Sequence, residues 1–335
     1  PEVCDGLTND CDALAADETF RDLGRACVAG IGACQRPGVF ICNLAGDGTV
    51  CDAQPGDPDD EVPCNAVDDD CDGSLDEGTS CIAFVSNREG GGIMVMSPDG
   101  SNPIQVRPGD QGSISDLAWA PTQPQIAFTI TGEDINIATL DLTDGSERLI
   151  VAFVGNSSRD PSWGVNGHSM AFTRRNNAIW IISLETLNAR QLTDNGDFQP
   201  DFSPNGLNIV FVSRRNGNSK IYLISSVVGG NTVRITPEVG DFEQPAWSPD
   251  GRNILYTYLN DVWVMNSMGA GRRNLTNAQG RDFSPRWSPD GMKIVFGTNR
   301  DGNNEIYVMD SDGGNPVNLT QNPASDTDPD WSRVR

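Results

Sequence analysis

The chain has 335 residues, 37% of them apolar, with 36 Gly and 21 Pro and a formal net charge of −24 at pH 7. That length and apolar share suffice for one large or two ordinary loop-rich domains. The charge excludes nucleic acid as a partner, because nothing would offset phosphate repulsion, and no apolar run approaches the ~20 residues of a membrane-spanning helix.

Residues 1–81 hold all nine cysteines, Cys4, Cys11, Cys27, Cys34, Cys42, Cys51, Cys64, Cys71 and Cys81. Such density reads as a disulfide framework formed in an oxidising compartment, and a chain starting at Pro1 fits a processed, exported precursor. Nine is odd, which leaves one thiol over. The same segment carries 19 Asp/Glu against 3 Lys/Arg, a net of −16 that leaves −8 for the remainder, so cations are expected partners. With too little apolar content for its own core, this arm is expected to lie against the following domain or a neighbouring copy. Repeated contacts of the second kind would build a filament.

Within the arm, Cys64 and Cys71 are separated by six residues in "CNAVDDDCDGSLDE", as are Cys4 and Cys11 in "CDGLTNDCD". The repeat predicts two small loops, each bridged by its own pair, with pairing among Cys27, Cys34, Cys42, Cys51 and Cys81 left open. Oxygen ligands recur at alternate positions, Asp68, Asp70 and Asp72, then Gly73 allows a sharp turn before Asp76 and Glu77. Alternating carboxylates with glycine at the sixth place wrap calcium at ~2.3–2.6 Å. A solvated acidic linker is the alternative, but six acids within ten residues repel one another unless a cation joins them. Zinc fits less well, since the cysteines lack C-x-x-C spacing. The first copy keeps Asp10 and Asp12 but has Thr8 and Ala13 where the second has Asp68 and Gly73. These loops, with "CVAGIGACQRPGVFIC" as a spacer, resemble the metal-binding repeat named for the bacterial copper-binding protein MopE. The resemblance implies copper, whereas one His and seven Met in the whole chain make calcium the better physical match.

Residues 82–335 repeat. Trp119, Trp163, Phe202, Trp247, Trp287 and Trp331 stand at intervals of 44, 39, 45, 40 and 44. A second aromatic, Phe128, Phe172, Phe211, Tyr256 or Phe296, follows nine residues after each of the first five. Leu149, Leu192, Ile235, Leu275 and Leu319 form a third apolar column. Within a unit, "KIVFGT", "EIYVMD" and "PVNLT" read as strands separated by Gly/Asn turns, and the segment leading into the Trp is a fourth. Four antiparallel strands per unit predict propeller blades, with a solenoid of hairpins as the other arrangement the period allows.

Ile82–Ser86 matches the second strand of a blade with Phe84 in the aromatic column, yet no Trp precedes it. The terminal "DPDWS" supplies the missing first strand from the other end of the chain. Six blades then form a ring closed by strand exchange, with no open sheet edge. The expected fold is therefore all-β: a six-bladed β-propeller of four-stranded antiparallel blades closed by the C-terminal strand, residues 82–335, after a disulfide-rich, loop-dominated arm, residues 1–81. "WSPDG", "IVFGTNRDGNNEIYVMDSDGG" and "VNLT" resemble the repeat of TolB-type six-bladed propellers. The resemblance implies an exported bacterial protein whose propeller binds other proteins without catalysis, although the α/β domain that precedes such propellers in TolB is not matched.

Ser248-Pro249-Asp250-Gly251, Ser288-Pro289-Asp290-Gly291 and Ser97-Pro98-Asp99-Gly100 read as turns rather than nucleophile sites. His168, the single histidine, sits on a turn, so no Ser-His-Asp triad is expected. Trp180 and Trp263 fit packing or exposure equally. Asn156, Asn274 and Asn318 begin glycosylation sequons, two of them inside the recurring "NLT" strand. Three residues before each anchor stand Asp116, Asp160, Gln199, Gln244, Ser284 and Asp328. If they point inward they form a polar ring able to take a cation or a basic peptide group; otherwise they cap loops. The sequence thus predicts a non-catalytic, calcium-stabilised protein of the cell surface or extracellular space, engaged in adhesion or self-association. The alternative is a periplasmic or surface receptor taking a peptide or glycan in the propeller funnel.

Overall fold

The computed structural model describes residues 25–29, 36–42, 49–51, 64, 80–109, 112–151, 157–174, 177–194, 196–227, 230–237 and 239–332. The chain divides into two compact units, residues 1–62 with 66–77, and residues 63–65 with 78–335. None of the described helices is long and apolar enough to cross a membrane.

In the first unit, Ala26–Ala29, Arg36–Cys42 and Thr49–Cys51 form an antiparallel sheet with the middle segment central. A disulfide joins Cys27 to Cys51 across that central strand. The opposite face carries Val28, Val39, Ile41 and Val50, all exposed. The loops holding Asp10, Asp12, Asp68, Asp70, Asp72, Asp76 and Glu77, and the cysteines Cys4, Cys11, Cys34 and Cys71, lie outside the described residues.

One pairing corrects the sequence reading: Cys64 is bonded to Cys81, not to Cys71. Loop spacing takes no account of burial, and burial decides here. Cys64 and Cys81 are 1% and 3% exposed, packed in one apolar cluster with Ala83, Ile93, Val95 and Trp119. The bridge therefore belongs to the core of the second unit.

That unit contains six four-stranded antiparallel sheets. In a representative sheet the order is Asp282–Trp287, Lys293–Thr298, Glu305–Asp310 and Val317–Asn318. Another is built from both ends of the unit: Asp326–Trp331 pairs with Ile82–Ser86, which is followed by Gly92–Met96 and Ile104–Pro108. Trp331 stands opposite Ile82 and Asp326 opposite Ser86. Beyond the ladder, Ser332 N–H donates to the Cys81 carbonyl at 2.7 Å and the Cys81 N–H donates to Ser332 Oγ at 2.6 Å.

Packing follows the aromatic columns. Phe84, Phe128, Phe172, Phe211, Tyr256 and Phe296 are all 0% exposed, and the anchors other than half-buried Trp287 are buried. In the third column Leu192, Ile235 and Leu275 are buried but Leu149 is not. A register shift between Leu149 and Val151 turns Ile150 and Val151 inward instead. Adjacent sheets are tied by polar links at the anchors. The Trp163 indole donates to the Ala118 carbonyl at 2.8 Å. Asp330 accepts the Trp119 N–H at 2.6 Å, and Asp201 accepts the Trp247 N–H at 2.8 Å.

Three sheets repeat a buried ion pair that the sequence pattern did not flag. Arg88, Arg215 and Arg300 bond Asp326, Asp197 and Asp282 at 2.7, 2.6 and 3.0 Å. Each guanidinium also covers the column aromatic, Phe84, Phe211 or Phe296, at 5.3, 5.7 and 5.4 Å. All three aspartates are buried and stand five residues before an anchor.

Candidate functional site

Each first strand breaks its ladder three residues before the anchor. Arg159 pairs with Thr173 and Ser162 with Ala171, so Asp160 and Pro161 together oppose one residue, and the same shift recurs in all six sheets. At this β-bulge the residue takes a left-handed backbone: φ is 53° at Asp116, 54° at Asp160, 52° at Gln199, 54° at Gln244, 49° at Ser284 and 51° at Asp328. That conformation is uncommon outside glycine, and its sixfold use marks a position held by the surrounding fold. Proline follows at five of the six, the exception being Leu117 after Asp116. With no N–H, proline suits a bulge where a ladder donor would lack a partner.

The six bulges meet. All six residues line one cavity of about 40 Å³, which also touches Arg286. This has room for an ion or a small polar head rather than a substrate. A cleft of about 280 Å³, bordered by Arg281, Phe283 and Asn304, shares Gln244, Ser284 and Asp328 with it and leads outward. The sequence-predicted ring is therefore brought together as one wall.

Hydrogen bonds run around part of this wall from sheet to sheet. Gln199 N–H donates to Asp160 Oδ2 at 3.2 Å, Gln244 N–H to Gln199 Oε1 at 2.9 Å, and Ser284 N–H to Gln244 Oε1 at 3.0 Å. Ser284 Oγ then donates to Asp328 Oδ1 at 3.2 Å. The chain stops there. Among the described residues no hydrogen bond links Asp328 to Asp116 or Asp116 to Asp160, so three acceptor-only groups face one another. Thr173 Oγ1 at 2.6 Å and Arg159 Nε at 3.4 Å support Asp160, and Ser115 supports Asp116 at 3.1 Å. Burial, then the charge of Asp116, pushes the Asp160 and Asp328 carboxyls up to about 6.

Arg286 is a member of this wall that sequence reasoning missed. It occupies the place just before its anchor, where other blades have Ala118, Ser162, Asp201, Ala246 and Asp330. Its Nε lies 3.7 Å from Asp330, and its charge draws the Asp328 carboxyl down against the upward push of burial. A lone Arg among small and acidic residues in one aligned column was the available signal.

The other singled-out residues fall elsewhere. His168 is exposed and meets Glu185 at 3.3 Å. Ser248 and Ser288 donate to Asp250 and Asp290 at 2.6 and 2.5 Å, closing turns. The Asn274 and Asn318 amides donate to Asp261 and Asp301. Trp180 lies under Arg174 at 4.6 Å and Trp263 packs on Tyr256 and Tyr258. Asn156 lies outside the described residues.

Comparison with known proteins adds the following. The family model of the TolB β-propeller domain matches residues 78–262 and 259–333. A protein TolB homolog of Chlorobium luteolum is 31% identical over 156 residues, 45% of this chain and 35% of that protein. An uncharacterized peptidase of Bacillus subtilis, YuxL, is 30% identical over 112 residues, 30% of this chain and 17% of that protein. The matched part thus spans well under half of these relatives' length. Among solved structures, TolB from Acinetobacter baumannii has a TM-score of 0.68 at 20% identity, over 92% of this chain and 82% of that one. A chain of the nidogen/laminin complex has a TM-score of 0.62 at 13% identity, over 76% and 98%. At such identities the likeness is one of fold.

Proposed function

The chain belongs to the TolB β-propeller domain family, and on that premise we propose that it is an exported, non-catalytic interaction protein whose six-bladed ring, closed by the C-terminal strand, presents an axial polar site to a positively charged group of a protein partner. One observation carries this reading. Three carboxylates, Asp116, Asp160 and Asp328, face a shared cavity at the point where the bond chain around its wall ends. A guanidinium or ammonium placed there would supply the missing donors and relieve the mutual repulsion that raises two of the three. The small cavity, and the exposed, remote setting of His168, favour recognition over turnover.

Calorimetric titration of the full chain with a short arginine-containing peptide, and separately with calcium chloride, tests the site. The triple variant D116N/D160N/D328N should lose a binding heat that the unaltered chain shows; identical isotherms would contradict the proposal.

The arm completes the reading. Its Asp68, Asp70, Asp72, Asp76 and Glu77 loop is proposed to bind calcium, with Asp10 and Asp12 as a weaker copy and copper as the less suited ion. The exposed apolar face of Val28, Val39, Ile41 and Val50 favours association with another molecule, self-assembly included, in a secreted or surface setting. Size-exclusion chromatography with and without calcium checks this: a calcium-dependent shift to larger species is expected, and an invariant monomer contradicts it.

A further inference from the structure

A second cavity, of about 630 Å³, opens in the propeller among the turns that join first and second strands. Its size falls in the range of ligand pockets, about 300–1,000 Å³. Pro121, Pro204, Pro249 and Pro289 each come from one such turn, with Val165 in the equivalent place of a fifth, and Trp247 and Trp287 stand in the wall between them. Polar groups on the floor are engaged within the chain. Asp201 accepts from Ser162 Oγ at 3.2 Å and from the Trp247 N–H, while Asp330 accepts from the Trp119 N–H and neighbours Arg286. A ligand is therefore met mainly by apolar walls.

The apolar character continues over the rim. Leu207 and Met292 on first-to-second strand turns are 57% and 67% exposed, and Val227 and Met268 on third-to-fourth strand turns are 62% and 84% exposed. The two kinds of turn share one end of the propeller, since Ser226 N–H donates to the Leu207 carbonyl and Ser311 N–H to that of Met292.

Charge selects the partner. The turns 97–102, 141–146, 184–188, 248–252, 266–273, 288–293 and 310–315 contain eight Asp/Glu against four Arg/Lys. Hydrogen bonds from Ser101, Ser248 and Ser288 hold Asp99, Asp250 and Asp290 below the usual carboxylate range, so these stay ionised. A second copy of this chain, with its net charge of −24, is repelled by such a rim, whereas a basic partner is attracted.

We propose that this funnel is a docking site, distinct from the axial ring, for an extended apolar segment of a partner protein flanked by Lys or Arg. The proline and tryptophan walls take the apolar side chains and the rim carboxylates take the flanking charges. A propeller with both sites can hold two partners at once.

Panning a random peptide library on the full chain tests it, with two variants as counter-selection. Thr122→Trp fills the mouth and Val165→Glu removes an apolar wall; Thr122 is exposed and Val165 is 40% exposed, so both should keep the unaltered melting temperature. Enriched peptides should pair aliphatic or aromatic residues with Lys or Arg. They should quench tryptophan fluorescence, lose affinity as salt is raised, and bind each variant at least about tenfold more weakly, about 1.4 kcal/mol. The proposal is overturned if no peptide is enriched, if enriched peptides are acidic, or if affinity survives in both variants. A concentration-dependent dimer abolished by Thr122→Trp would also overturn it, by making a second copy the occupant.

Discussion

Asp160 and Asp328 carry the clearest consequence at the scale of single residues. Their carboxyls are pushed up to about 6 in the fold against 3.8 unperturbed, so the folded state holds more protons than the unfolded one between those values. Stability should accordingly rise as pH falls from 7 towards 4, opposite in sign to the usual carboxylate. Asp160→Asn, which keeps an acceptor for Thr173 and Gln199, is expected to stabilise by about 1–2 kcal/mol at pH 7.5 with the gain vanishing near pH 4, as read by urea denaturation. A gain that is absent, or independent of pH, would show that the carboxylate is not held in a repulsive site. The buried ion pairs behave in the ordinary sense. Arg300→Ala leaves Asp282, 2% exposed, without its partner and strips cover from Phe296, at a cost of roughly 3–5 kcal/mol. Arg300→Met with Asp282→Leu should recover most of that loss, and a double variant no more stable than the single would contradict it.

At the scale of elements, the first strands do two jobs, carrying the anchor that fills the core and the bulge that lines the cavity. The anchors, the aromatic column and the missing first strand before Phe84 were legible because apolar periodicity survives in every unit. The six ring positions were visible by the same alignment, but a left-handed φ leaves no trace in residue type when Gln, Ser and Asp share it. The Arg–Asp pairs escaped because partners such as Arg88 and Asp326 are 238 residues apart, and adjacency around a ring is not sequence adjacency. Cys64 was misassigned because loop spacing cannot weigh burial; Leu149 was, because one extra residue in a strand turns the next side chains over. Trp331→Ala tests the exchanged strand: loss of this buried side chain should cost about 3–5 kcal/mol. Hydrogen exchange should then rise first in Ile82–Ser86, and a uniform rise elsewhere would argue against a local clasp.

Across the whole molecule, covalent and non-covalent ties converge on one seam. The Cys64–Cys81 disulfide, the Cys81–Ser332 bonds and the Trp331–Ile82 pairing all meet where the repeat array begins and ends. Peptide mapping without reduction should recover a fragment linking Cys64 to Cys81; one linking Cys64 to Cys71 would contradict the buried bridge. Because the seam sets Asp328 beside Asp116, closure and site stand or fall together. Carbon-13 NMR titration of Asp carboxyls, with Asp160→Asn and Asp328→Asn to assign them, reads both at once. The account predicts that Asp160 and Asp328 titrate near 6 and that Asp116→Asn moves both downward. Values near 3.8 that ignore Asp116→Asn would mean that the bulges do not share one axial site.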